Sequence, residues 1–176
     1  MNSSFYVPLV SGVLIFFIGC TFLYFYFRNL QEETRRIWDE LNQKTRLRLD
    51  KLPLFIEIIR RSQKAPEALI KAIIQAREKI WPLEEPSTQK VQLELALSSQ
   101  LHELWTQLEQ EDALRNDVNF MALKKEIIDI GQEIDAFADS YNQKIYRYNQ
   151  KIRFVLWKPF AMLFGFRHMP IFEFEV

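Results

Sequence analysis

The sequence predicts an all-α protein in which one amino-terminal transmembrane helix is followed by an antiparallel bundle of long helices. Three observations predict this fold class. No Asp, Glu, Lys, Arg or His precedes Arg28, so the chain begins with an uncharged, apolar stretch. Beyond it, apolar residues recur at intervals of three and four, which is the period of one face of a helix. Between Arg28 and Gly165 the only glycine is Gly131, so long helices would meet few breaks.

The transmembrane helix is predicted over residues 5–27, after a short tail at residues 1–4. As a helix rising 1.5 Å per residue, this segment would extend roughly 34 Å and could cross a hydrocarbon core of about 30 Å. A cleaved signal peptide is the competing interpretation. The segment is too long for one, however, and it lacks both an amino-terminal cation and a small-residue cleavage pattern. We therefore expect a membrane span that stays in the protein.

The charges that follow the span predict its orientation. Basic residues lie on its carboxyl-terminal side, and only the α-amino group lies on the other side. The positive-inside rule then places the amino terminus outside and the following domain in the cytoplasm. The basic residues are Arg28, Arg35, Arg36, Lys44, Arg46 and Arg48.

Four helices are predicted in the bundle, residues 28–153. The first runs from Leu30 to Ser62 with a kink or break at Pro53, and the second begins at Pro66. Ser87 or Thr88 would cap the third helix, and Asn116 or Asp117 would cap the fourth, which ends at Arg153. Short connections make consecutive helices run in opposite directions, so the fourth helix should return towards the membrane.

Each predicted helix carries an apolar stripe, and the fourth is a heptad seam with one eleven-residue step from Ile134 to Ile145. The second stripe contains Leu69, Ile73, Ala76 and Ile80, and the third contains Leu93, Leu97, Leu101, Leu104 and Leu108. The fourth contains Phe120, Leu123, Ile127, Ile130, Ile134, Phe137, Tyr141, Ile145, Tyr148 and Ile152.

The phrase YNQKI occurs twice in the fourth helix, seven residues apart, within YNQKIYRYNQKI. Tyr141 and Tyr148 fall on the seam, so the repeat has the period of bundle packing. Asn142 and Asn149 lie one position off the seam. We predict that these amides hydrogen-bond across helices and fix the helix register.

Residues 154–176 form an aromatic and basic carboxyl-terminal segment, because no acid occurs between Asp139 and Glu173. Apolar side chains with interspersed cations are typical of segments that lie on an anionic lipid surface. A cap over the open end of the bundle is the alternative, and the two roles are compatible. The predicted membrane-interface residues are Phe154, Trp157, Lys158, Phe160, Phe164, Phe166 and Arg167.

No motif predicts a catalytic, cofactor-binding or metal-binding residue. His102 and His168 are far apart, Cys20 lies in the span, and the four glycines form no phosphate-binding loop. Equal numbers of basic and acidic residues, 23 each, argue against nucleic acid as a partner. An acid-rich region from Glu103 to Asp139 predicts either a docking face for a basic partner or, by preference, a solvated exterior.

The sequence resembles the LemA family of bacterial membrane proteins. The resemblance rests on phrases along nearly the whole chain, of which the paired YN followed by LFGF at residues 163–166 is the most specific. The others are IWDELNQKTRLRLDKLPLFIE (37–57), AR (76–77), NFMALKKEI (119–127) and ADSYNQKIYRYNQKI (138–152). One departure is Leu54, which stands where the family typically has Asn.

The resemblance implies a helical domain tethered by one span in the bacterial inner membrane, without an established enzymatic reaction. Some relatives are linked to membrane organisation in magnetosome-forming bacteria. We therefore expect a non-enzymatic scaffold that contacts the lipid bilayer and unidentified protein partners. A regulatory or signalling adaptor of another membrane protein is the alternative, and homo-oligomerisation stays open.

Overall fold

The computed structural model describes residues 3–61, 65–108, 111–154 and 158–172, and within these ranges the chain forms helices and no strand. The predicted all-α class is confirmed. The helices are α1 (Ser3–Arg60), α2 (Glu67–Ile80), α3 (Thr88–Leu108), α4 (Asp112–Arg115), α5 (Val118–Arg153) and α6 (Lys158–Leu163).

Helix α1 is one continuous element of 58 residues that passes without interruption from the apolar segment into the bundle. Its amino-terminal part is long and apolar enough to cross a membrane. Large apolar side chains such as Ile15, Phe16 and Phe22 are exposed there, whereas the part beyond Phe27 buries one face. The same helix therefore provides both the candidate span and a wall of the bundle.

Helices α1 and α5 pack antiparallel along most of the bundle, and polar contacts between them show a constant register. From one contact to the next, the residue number in α1 increases by seven, then eleven, then seven. The residue number in α5 decreases by the same amounts. The contacts are Tyr26–Lys151, Glu33–Lys144, Lys44–Glu133 and Lys51–Glu126. The eleven-residue step predicted in α5 is thus matched by an equal step in α1. Because exposed ion pairs contribute only about 0–1 kcal/mol each, they report the register more than they enforce it.

The core lies between the α1–α5 pair and the α2–α3 pair. Two of its contacts are Phe55 stacked on Phe120, with ring centroids 5.4 Å apart, and Trp38 against Tyr141 at 5.3 Å. Two of the predicted caps are observed. The Ser87 hydroxyl accepts from the amide of Lys90 at the start of α3, and the Asp117 carboxylate accepts from two amides at the start of α5.

The predicted stripes are correct at most positions, with three local corrections. Ala138 is buried in place of Phe137, because the eleven-residue step brings positions 134, 138, 141 and 145 inward. Ile70 is fully buried where Leu69 is only half-buried. In α3, Leu93 is half-buried, while Val91 and Glu94 are buried.

Pro53 does not break α1, and a side chain from α2 compensates for its missing amide. A proline cannot donate to the carbonyl four residues earlier, so Pro53 leaves the carbonyl of Leu49 without its helical partner. The guanidinium Nε of Arg77 donates to that carbonyl oxygen at 2.9 Å. Arg77 also lies over the Trp81 ring, 5.1 Å from its centroid, which holds the side chain in place. The AR phrase and the proline therefore form one structural unit.

Replacing Arg77 with Ala is expected to lower the free energy of unfolding by about 1–3 kcal/mol, because a buried carbonyl loses its partner. In a Pro53→Ala background the new amide can donate to Leu49, so the same substitution should cost clearly less. Denaturant unfolding of the four proteins in mild detergent, analysed as a double-mutant cycle, measures this difference. Equal costs in both backgrounds would refute the compensation.

Candidate functional site

The carboxyl-terminal segment returns to the point where the apolar part of α1 meets the bundle. Phe166 is buried against Phe27, with ring centroids 5.4 Å apart, and Phe164 lies 5.5 Å from Tyr24. Phe160 also faces Phe27, at 6.2 Å. These aromatic contacts place α6 beside the carboxyl-terminal end of the candidate span.

The LFGF phrase ends α6 with a Schellman motif. Gly165 has a φ of 75°, in the left-handed region that glycine adopts without strain. The amide of Phe166 donates to the carbonyl of Ala161 at 2.9 Å, and the amide of Gly165 donates to the carbonyl of Met162 at 3.3 Å. Gly165 therefore reverses the chain and directs residues 166–172 back along α5.

Asn142 and Asn149 hold this returning chain by its backbone. The Asn149 side chain donates to the carbonyl of Met169 at 2.9 Å and accepts from the Met169 amide at 3.1 Å. Asn142 makes the equivalent pair with the Phe172 carbonyl, at 2.5 Å, and the Phe172 amide, at 2.7 Å. We call these two asparagines and their four hydrogen bonds the Asn clamp.

The heptad spacing of the Asn clamp matches the spacing of its targets. Seven residues of α-helix advance about 10.5 Å, and three residues of extended chain advance about 10 Å. Met169 and Phe172 are three residues apart and run antiparallel to α5, so each amide meets one backbone unit. Phe172 is also buried against the Trp38 and Tyr141 cluster. The asparagines of the repeated YN phrase thus hydrogen-bond to the carboxyl-terminal segment, whereas the sequence predicted hydrogen bonds between helices of the bundle.

Tyr141 and Tyr148 fill the core beneath the Asn clamp. Both side chains are fully buried, and within the described residues neither hydroxyl has a hydrogen-bond partner. Burial raises the pKa of Tyr141 above its ordinary value and raises that of Tyr148 to about 12. These rings are seam residues, as predicted, and their hydroxyls add little to the packing.

Tyr148→Phe is expected to leave stability at neutral pH unchanged or slightly higher, because it removes a buried hydroxyl that has no partner. A phenol whose folded pKa is raised contributes stability below its unfolded pKa of about 10, and this is lost as pH rises through about 12. Wild type should therefore lose stability over that window more steeply than the variant. Denaturant unfolding at a series of alkaline pH values tests this, and identical slopes would contradict it.

The predicted membrane-interface residues divide into two groups. Phe160 and Phe166 face the bundle and the end of the span, as a cap would. Trp157 lies outside the described residues. The exposed members are Phe154, Lys158, Phe164 and Arg167.

A buried polar cluster crosses the bundle between α1 and α3, and the apolar pattern of the sequence did not predict it. Arg48 and Glu94 form an ion pair of 2.6 Å, and Arg48 also donates to Ser98 at 3.0 Å. Burial raises the pKa of the Glu94 carboxyl, and Arg48 opposes this shift. The buried ammonium of Lys90 contacts Asn42 and the carbonyl of Leu83, and burial lowers its pKa. Hydrophobic periodicity could not have found these charges, because they occupy apolar seam positions.

Possible metal ligands are dispersed in the part of the chain that the structure describes. No group of three or more His, Cys, Asp or Glu side chains is placed to hold a metal ion in those ranges. Arg48 pairs with Glu94 and Ser98 inside the bundle, whereas Arg48 Nε and Glu94 Oε1 have no hydrogen-bond partner among the described residues.

These features define an all-helical antiparallel bundle that extends from a long apolar helix and carries a clamped carboxyl-terminal segment. The chain belongs to the LemA family, whose model matches residues 37–176. The match includes both asparagines of the Asn clamp and the LFGF turn. No curated protein matches the sequence of the chain.

Proposed function

We propose that this LemA-family chain is a non-enzymatic, single-pass protein of the bacterial inner membrane that acts as a scaffold at the membrane surface. Its amino terminus would lie outside and its bundle in the cytoplasm, as the basic residues after the span favour. The observation that carries the proposal is the return of α6 to the end of the candidate span, held there by Phe166 and the Asn clamp.

The exposed surface of α6 supports a position at the bilayer interface. Its inner face packs Ala161 and Phe160 against the bundle, yet its outer face is apolar as well. Met162 is 73% exposed and Leu163 is 80% exposed. Such a helix is poorly suited to water on its outer face, and the interfacial region of a membrane would accommodate it.

The charges near α6 favour an anionic membrane surface. Lys151, Arg153, Lys158 and Arg167 occur within the acid-free stretch between Asp139 and Glu173. Each cation near such a surface contributes about 1 kcal/mol of attraction. The span and the carboxyl-terminal segment would together fix the base of the bundle at the headgroup level.

The opposite end of the bundle supports binding to a protein partner. Val118, Met121 and Leu54 are large apolar residues exposed near the α4–α5 turn, far along α1 and α5 from α6. A scaffold would present this end to proteins in the cytoplasm. A regulatory adaptor of another membrane protein is the second candidate, since the same surface could transmit contacts made by the span.

The depth of two matched positions tests the membrane arrangement. Leu163 and Val118 are 80% and 79% exposed at opposite ends of the bundle. In a Cys20→Ser background, each would be changed to Cys, spin-labelled and studied in lipid nanodiscs. We expect the label at 163 to be relaxed mainly by oxygen, which partitions into lipid, and the label at 118 mainly by a water-soluble nickel chelate. Equal accessibility to the chelate would contradict the proposed function.

A further inference from the structure

An apolar groove runs between the candidate span and α6. Its volume is about 670 Å³, and its lining side chains are apolar apart from the hydroxyls of Thr21 and Tyr24. The α1 wall follows one helical face at steps of three and four residues, and Pro159, Phe160, Leu163 and Phe164 form the other wall. The α1 wall consists of Phe16, Phe17, Cys20, Thr21, Leu23 and Tyr24.

The polarity of the groove changes along its length. Thr21 turns its hydroxyl to the carbonyl of Phe17 at 2.9 Å, so this polar group is satisfied within the helix. At the upper end, the Arg28 guanidinium donates to the Tyr24 hydroxyl at 3.3 Å, while also pairing with Glu32. Lys158 directly precedes Pro159 of the other wall. The groove is therefore apolar along the span, Arg28 contacts its Tyr24 end, and Lys158 is joined to its α6 wall at Pro159.

The dimensions suit one hydrocarbon chain that enters from the headgroup level. From Tyr24 to Phe16 the helix descends eight residues, roughly 12 Å at 1.5 Å per residue, which is less than half of a bilayer core of about 30 Å. The depth thus stays within one leaflet. An acyl chain gains about 0.8 kcal/mol per buried methylene relative to water, but relative to bulk lipid its preference must come from shape and from the headgroup cations.

We propose that this groove is a lipid-binding site that holds one acyl chain of an anionic phospholipid, with its headgroup beside Arg28 and Lys158. The inference rests on the proposed membrane location and specifies its ligand. Charge complementarity favours an anionic headgroup, and the apolar lining favours the chain. A bound lipid would fill the space between α6 and the span and so complete the base of the bundle.

Photocrosslinking of the full chain in nanodiscs tests the site. The nanodiscs would contain neutral phosphatidylcholine and a trace of phosphatidylglycerol with a diazirine in its acyl chain. After irradiation, peptide mapping should find adducts concentrated on the groove walls and not on Ile18 and Phe22, which are exposed outside the groove. The same photolabel on phosphatidylcholine should give fewer groove adducts, and Arg28→Gln should reduce the difference between the two lipids.

Two matched substitutions distinguish a bound chain from ordinary surrounding lipid. Cys20→Trp fills the groove and should lower groove adducts roughly tenfold, equivalent to about 1.4 kcal/mol. Ile18→Trp adds similar bulk outside the groove and should leave them unchanged. Adducts spread evenly around the span in the unmodified protein would overturn the proposal, as would an insensitivity to Cys20→Trp.

A second copy of the chain is the competing occupant, and Cys20 reports on it directly. Cys20 is the only cysteine and lines the groove, so mild oxidation would join two chains if their grooves faced each other. Efficient Cys20–Cys20 crosslinking without groove adducts would show that a second copy of the chain, and not a lipid, occupies the groove, and it would overturn the proposal. If label 163 is lipid-exposed but adducts are evenly spread, the lipid site fails and the proposed function stands. If label 163 is in water, the proposed function fails as well.

Discussion

Arg48→Met is expected to destabilise the bundle by about 3–5 kcal/mol, because it leaves the carboxylate of Glu94 buried without its countercharge. The two side chains are 4% and 1% exposed and meet at 2.6 Å. Their hydrogen bond cannot be replaced by water without opening the contact between α1 and α3. Denaturant unfolding in mild detergent measures the loss.

The matching double variant separates the ion pair from simple packing. Arg48→Met combined with Glu94→Leu removes both charges and fills the space with apolar atoms, so most of the stability should return. The exposed pair Lys51–Glu126 provides the control, since Lys51→Met should cost at most about 1 kcal/mol. A cost that small for Arg48→Met would mean that the buried pair is not integral to the core.

Replacing Asn142 and Asn149 together with Ala is expected to release the carboxyl-terminal segment while the bundle stays folded. Four hydrogen bonds at about 1 kcal/mol each correspond to about 4 kcal/mol of docking free energy. Trypsin cleavage after the exposed Arg167 should accelerate, because a protease needs the segment to detach. Digestion of the reconstituted protein followed by mass analysis gives the rate.

The repeated phrase supplies a matched control for this experiment. Gln143 and Gln150 follow the two asparagines at the same heptad spacing, and both are exposed. Their double replacement with Ala should leave the cleavage rate unchanged. Rapid cleavage in both double variants would attribute the effect to α5 itself and not to the clamp.

The seam of the bundle could be predicted because burial of apolar residues has a period that the sequence displays directly. Even the eleven-residue step of α5 was visible, from Ile134 to Ile145, and the contacts from Glu33–Lys144 to Lys44–Glu133 show the same step in α1. What periodicity could not resolve is the choice between adjacent apolar residues. Ala138 is therefore buried where Phe137 was expected.

Helix α1 continues through Pro53, where the sequence predicted a kink or a break, for a reason that sequence alone could not supply. A proline inside a helix is disruptive when the carbonyl four residues earlier is left without a donor. Here Arg77 donates to that carbonyl, which belongs to Leu49, from another helix and from 28 residues away in the sequence. The buried Arg48–Glu94 pair escaped prediction for the same kind of reason. A charge becomes compatible with a core position only through its partner, and pairing across helices depends on the fold.

The sequence predicted one part of the Asn clamp, the two asparagines, but not the groups that they bind. The heptad spacing of the asparagines is apparent in the sequence, but their targets are backbone groups of Met169 and Phe172, and backbone groups leave no pattern of side chains. LFGF becomes interpretable only beside it, because Gly165 turns the chain towards the clamp. These two phrases thus share one role in this chain, which is to bring α6 back to the span and keep it there.

Amide hydrogen exchange at Met169 and Phe172 tests this role most directly, because each amide donates to one clamp residue. We predict slow exchange at both amides in the folded protein, faster exchange of Met169 in Asn149→Ala, and faster exchange of Phe172 in Asn142→Ala. The Gln143→Ala/Gln150→Ala protein should match wild type at both. Fast exchange of the two amides in wild type, or exchange that is insensitive to the asparagine substitutions, would contradict the clamp.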